Sequence, residues 1–166
     1  YHSILFFLYS RIIFHVLHLN NLLNEFCNML LPAEIESRTL IPALRAILSK
    51  RLSQKYNIHE DEISKMLGVT QAAVSNYIRG TRGDPKLIEK LEEEKQVTEM
   101  LTDICDNLSS DKAYTPASLS KFIGLCNYIK SSLLICDIHH NLESDIDDEV
   151  CKECENMLLK GPGTVF

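Results

Sequence analysis

The chain has 166 residues, 45% of them apolar and 24% charged, with no Trp. That is enough for one medium domain, or a small domain with an extension, built around a real core. Long period-two runs of β-branched residues are missing, which excludes a sheet-built fold and points to an all-helical protein. The net charge of −6 would argue against a nucleic-acid partner, but it is unevenly spread. Residues 33–90 carry ten Lys and Arg against seven Asp and Glu, and residues 91–166 carry six against fifteen. An acidic C-terminal part therefore masks a mildly basic middle.

Residues 1–28 are unusual. Ser3 to Leu19 is an apolar run broken by Arg11, His15 and His18. It is too interrupted for a membrane span and has no small-residue cleavage site after it. Met29 stands just before the first domain-like sequence. The favoured reading takes Met29 as the natural start, with the preceding stretch as a non-native leader read in frame. A membrane or partner-binding helix and an ordinary packing helix are the alternatives.

Ile41–Tyr56 reads as a helix with Ile41, Leu44, Ile47, Leu48 and Leu52 on one face. Pro42 fits its first turn, and Arg45, Lys50, Arg51 and Lys55 read as solvated surface. After a turn at Asn57–Glu60, a short helix covers Asp61–Leu67 and stops at Gly68. Thr70 caps the next helix, Gln71–Arg79, which Gly80 and Gly83 end. Asp84 and Pro85 open a long helix reaching to Leu108. Leu87, Ile88 and Leu91 form its early patch. Val97, Leu101, Ile104 and Leu108 form a later seam, with Glu92–Glu94 as the place for an interruption. Ser109–Thr115 is a polar loop, and Pro116 restarts a helix carrying Leu119, Phe122, Ile123, Cys126 and Ile129. The end, from Asn141 onward, is acidic and then Gly/Pro-rich. There are no internal repeats.

The segment from Asp61 to Gly83, DEISKMLGVTQAAVSNYIRGTRG, carries the functional signal. A helix-turn-helix needs a short apolar-faced helix, a tight turn, and a second helix whose exposed N-terminal end enters the major groove. Ile63, Met66 and Leu67 supply the first face. Val69 plugs the angle between the helices, Ala73 allows close approach, and Val74 and Ile78 anchor the second helix. The exposed set is then Gln71, Ala72, Ser75, Asn76 and Arg79, with Thr70 at the helix start. Gln and Asn amides can read adenine, and Ala can touch a thymine methyl. Ser75, Tyr77, Arg79 and, in the following loop, Arg82 suit phosphate contact. No nucleophile–base constellation or phosphate loop is visible, so an enzyme is not expected.

Of six cysteines, Cys136 with His139 and Cys151 with Cys154 form two close-spaced ligand pairs. Together they could make a Cys3His zinc site. If Cys126 replaces His139, the four thiolates Cys126, Cys136, Cys151 and Cys154 suit zinc or an iron–sulfur cluster. Buried unligated thiols and redox-active thiols without metal are the alternatives. Cys27 and Cys105 read as inert.

The stretches LIPALRAILSKRLSQKY, ISKMLGVTQAAVSNYIRGTRG and LCNYIKSSLLICDIH…CKEC resemble the Cro/lambda-repressor-like, or XRE-type, helix-turn-helix regulators. The resemblance is strongest to archaeal ones with a cysteine-rich C-terminal tail. It implies an all-α fold with a DNA-binding domain over residues 33–90 and a helical dimerisation and cysteine region over 91–160. The main expectation is a cytoplasmic, sequence-specific transcriptional regulator that binds double-stranded DNA as a homodimer joined through Leu87 to Ile135, with no membrane partner and with the cysteine tail as a metal- or redox-responsive element or a structural staple. A protein-interaction adaptor that does not read DNA is the second reading. The resemblance favours the four-cysteine ligand set. Some such regulators are fused to a thiamine-phosphate synthase domain, for which too few residues follow Cys154. Family members often carry Gln at the start of the first motif helix, where His59, Glu60 and Asp61 stand here, and the acids Glu60 and Asp61 would repel phosphate.

Overall fold

The computed structural model describes residues 30–111, 113–143 and 146–160. The expectations for residues 1–28, and for Cys27, lie outside the described residues. Pro32–Phe166 forms one compact unit, and its described part is all-helical. No helix among the described residues is long and apolar enough to cross a membrane.

Helix α1 (Pro32–Ile35) runs through a π-helical turn at Glu36–Leu40 into α2 (Ile41–Gln54), with right-handed helical backbone at both junctions. Pro42 is therefore preceded by helix and does not open a free helical start. Proline has no N–H and its ring crowds the carbonyl four residues back. A widened turn, in which the Ile41 N–H reaches back to the Glu36 carbonyl, absorbs that defect. Helix α2 is also more enclosed than a single apolar stripe predicts. Ala43, Leu44, Ala46, Ile47, Leu48, Ser49 and Leu52 are all buried, because later helices pack on more than one of its sides.

Helices α3 (Glu60–Leu67) and α4 (Gln71–Ile78) follow, and both pack on α2. Next come α5 (Pro85–Glu93) and α6 (Lys95–Asp111), split at Glu94, whose extended backbone breaks the expected long helix among the three consecutive glutamates. Asp84 caps α5, accepting the Leu87 N–H at 2.8 Å. Helix α7 (Pro116–Ser131) opens with a reciprocal cap. The Ser118 N–H donates to Thr115 Oγ1, and the Thr115 N–H donates to Ser118 Oγ. Helices α8 (Cys136–Leu142) and α9 (Asp148–Lys160) end the described chain, with α9 against α7.

The expected division between residues 90 and 91 falls inside α5, and packing continues across it. Helix α6 contacts α2 as well as α5 and α7. Val97, Leu101, Ile104 and Leu108 are 0–2% exposed within the single chain. These four residues, which lie within the segment Leu87 to Ile135 expected to join two copies, are thus buried by intrachain packing. Arg51 is also not the solvated side chain its pattern suggested. It is half-buried, its guanidinium donates to the Thr98 carbonyl at 3.3 Å and Thr102 Oγ1 at 3.4 Å, and it lies 3.8 Å from the Glu92 carboxylate. One side chain on α2 thereby fixes the α5–α6 corner. Lys130–Glu36 at 2.9 Å, part-buried, and Lys90–Asp137 at 2.6 Å, more exposed, make similar cross-links. The Lys90 ammonium holds the Asp137 carboxyl below the usual carboxylate range.

Burial pushes the thiols of Cys105 and Cys126 from an ordinary value near 9 up to about 11. Burial and then the hydrogen bond to Asp106 push Tyr56 up to about 12. These groups hold their protons more tightly when folded. Their stabilisation is intact below the unfolded values and is lost as pH rises through the folded ones. Unfolding free energy should therefore fall steeply above pH 9, by about 2–3 kcal/mol for each of the two thiols by pH 11. Urea titrations followed by circular dichroism at stepped pH would measure this. Cys105→Ala should flatten the alkaline slope, and an equally steep slope in that variant would refute the assignment.

Candidate nucleic-acid interface

The α3–α4 unit is held at both ends of its link by backbone chemistry. Gly68 takes a left-handed conformation (φ 63°), and the Val69 N–H turns back to the Ser64 carbonyl, closing α3 with a Schellman-type end. Thr70 is extended, and its hydroxyl accepts the Ala73 N–H at 3.2 Å, starting α4. At the far end Gly80 is again left-handed. Its N–H bonds the Tyr77 carbonyl, and the Thr81 N–H bonds the Asn76 carbonyl, the same terminating motif. A short helix with both ends satisfied in this way is a rigid platform.

The inner face of α4 is Ala73, Val74 and Tyr77. Tyr77 overturns one expectation. It is 0% exposed, packs with Ala46, Ala73, Val69 and Ile88, and its hydroxyl has no hydrogen-bond partner. It cannot reach a phosphate. It occupies the anchoring position expected of Ile78, which is only half-buried. The positions are one apart, so the apolar face is turned toward Val74–Tyr77 rather than Val74–Ile78. Tyrosine's polar tip made it read as surface.

Thr70, Gln71, Ala72, Arg79 and Arg82 are exposed, and Ser75 and Asn76 are half-exposed. Seven of the eight expected contact residues thus keep access to solvent along α4 and its flanks. Two of them are already oriented. The Arg79 guanidinium donates to Asn76 Oδ1 at 3.0 Å. The Arg82 guanidinium lies 5.1 Å from the Tyr77 ring centroid, a cation–π contact that pins the Gly-flanked loop against the core.

One partner of α4 was not foreseen from the sequence. Glu60, at the start of α3, accepts a hydrogen bond from the Gln71 amide at 2.7 Å. An amide nitrogen carries two hydrogens, so one N–H and the carbonyl oxygen of Gln71 stay available for a ligand. The acidic side chain that looked only repulsive to phosphate also aims the first residue of α4. A polar side chain that opens the first helix, eleven residues before an amide that opens the second, is the signal that could have found it.

The cysteines separate into two groups. Cys126 is buried (4% exposed) in α7, where Glu36 and Lys130 are the charged groups acting on its thiol. Cys136, Cys151 and Cys154 are half-exposed. Burial, then the thiols of Cys151 and Cys154, raise Cys136. His139 is paired with Glu143 at 3.2 Å, its side chain 15% exposed. His140, one residue on, is exposed and its Nε2 lies 3.4 Å from Cys151 Sγ. Among the described residues no three His, Cys, Asp or Glu side chains already converge on a metal position. The ligand set Cys126, Cys136, Cys151 and Cys154 is not gathered in one place, because Cys126 belongs to the core. A comparison with family models, curated proteins and solved structures finds no match to this chain.

Proposed function

We propose that this protein is a sequence-specific DNA-binding regulator, with α3–α4 as a lambda-repressor-like helix-turn-helix and α4 entering the major groove. The carrying observation is the two-sidedness of α4. Ala73, Val74 and Tyr77 fasten one side to the core, and Gln71, Ala72 and Arg79 face solvent on the other. A groove reader needs a helix that cannot shift on its scaffold and that presents amide, methyl and guanidinium groups at its free face.

The division of labour follows from chemistry. Gln71 and Asn76 would contact base edges and Ala72 a thymine methyl, and Arg79, Arg82, Thr70 and Ser75 would hold the phosphates. A homodimer would set two α4 helices one DNA turn apart. Since the α6 seam is buried internally, the apolar surface left for a second copy on α7 includes Leu119 and Ile123, 41% and 51% exposed.

Fluorescence anisotropy with short duplexes across a salt series tests the reading. If Arg79 and Arg82 of each copy neutralise a phosphate, log affinity should fall linearly with log salt, with a slope of about −3 to −4. Absence of any duplex binding at low salt would sink the proposal and leave the adaptor reading.

A further inference from the structure

The tail carries a feature independent of DNA reading. Cys136 and His140 lie four apart on α8, and Cys151 and Cys154 three apart on α9, so each pair shares one helical face. The two pairs meet where Cys151 Sγ stands 3.4 Å from His140 Nε2. Cys136 is within electrostatic range of both cysteines of the other pair. All four side chains reach solvent at least in part. By contrast, Cys126 is sealed in the core and His139 is held by Glu143.

We propose that Cys136, His140, Cys151 and Cys154, which do not converge in the metal-free chain, close around a zinc ion as its four tetrahedral ligands and so pin α9 to α8. The ligand chemistry is that of a closed structural site, three thiolates and one imidazole. His140 thus replaces both sequence-level candidates for the fourth place, Cys126 and His139. Binding expels the thiol protons, so the ion joins two helices whose contact otherwise includes the Cys151–His140 bond. The terminal helix gains most. Val150, Met157 and Leu159 on α9 are 43%, 50% and 59% exposed, so apolar burial alone secures it poorly.

The test uses the full chain, reduced and freed of metal, titrated with Co2+ as a spectroscopic probe and then with Zn2+ in competition. One Co2+ per chain with intense tetrahedral and thiolate-charge-transfer absorption, displaced by one Zn2+, is the expected result. Loss of even an outer partner of a metal costs about 10- to 100-fold in affinity, so loss of a ligand should cost at least that. Cys136→Ser, His140→Ala, Cys151→Ser and Cys154→Ser should each weaken Co2+ binding accordingly. Cys126→Ser and His139→Ala should keep the parent spectrum and stoichiometry. Circular dichroism of each apo variant separates lost ligation from lost folding. Failure of the parent to take up Co2+ overturns the proposal. So does a spectrum that survives His140→Ala but not His139→Ala or Cys126→Ser. Neither outcome bears on DNA binding.

Discussion

Tyr77→Phe should leave the protein as stable as the parent or slightly more so, whereas Tyr77→Ala should cost about 3–5 kcal/mol. The asymmetry comes from where the side chain sits. Its ring is fully buried between α2 and α4, so truncation leaves a ring-sized cavity beneath the solvent-facing helix. Its hydroxyl is buried without a partner, so removing the oxygen loses no hydrogen bond and relieves a desolvated group. Urea denaturation of the two variants measures both numbers. A destabilised Phe variant would show that the hydroxyl is satisfied after all. Under the proposed function the Phe variant should also bind duplex with parental affinity. A loss of binding at unchanged stability would restore the phosphate role that burial removes.

Tyr77 also shows where sequence reasoning reaches its end. Local features were legible because local chemistry fixes them: Gly68 at a left-handed helix end, Thr70 and Asp84 as caps, Pro116 at a helix start. The all-helical character followed from apolar periodicity in the same way. What periodicity does not give is how many neighbours a helix has. Helix α2 looked like a one-faced amphipath because Ala43 and Ala46 contribute little to an apolar stripe, yet both are 0% exposed where later helices close in. The seam on α6 fell within the segment expected to join two copies, because spacing cannot say whether its partner is in the same chain. Arg51 and Glu60 were assigned by charge alone, to solvent and to repulsion. Their true partners, Thr98 and Gln71, are 47 and 11 residues away. In the tail, spacing singled out Cys136, Cys151 and Cys154, and all three are half-exposed. Which of the adjacent His139 and His140 approaches Cys151 was not legible, because spacing carries no helix phase; it is His140.

Under the proposed function, the largest effect on DNA reading should come from the Glu60–Gln71 pair. Gln71→Ala should cost about 1–3 kcal/mol at one base pair of the preferred site and relax discrimination there. Glu60→Ala should act in two opposed directions. Removing a negative charge beside the end of α4 should raise affinity for random duplex, most visibly at low salt. Releasing the Gln71 amide from its 2.7 Å hydrogen bond should lower the preference for the correct base, because the amide must then be ordered on binding. The ratio of specific to random affinity should therefore fall even as random affinity rises. In the Gln71→Ala background, Glu60→Ala should lose its effect on discrimination and keep its effect on random binding. That double-mutant cycle isolates orientation from charge. If Glu60→Ala changes both affinities by the same factor, the carboxylate acts only through its field, and the amide is aimed by its own rotamer preference instead.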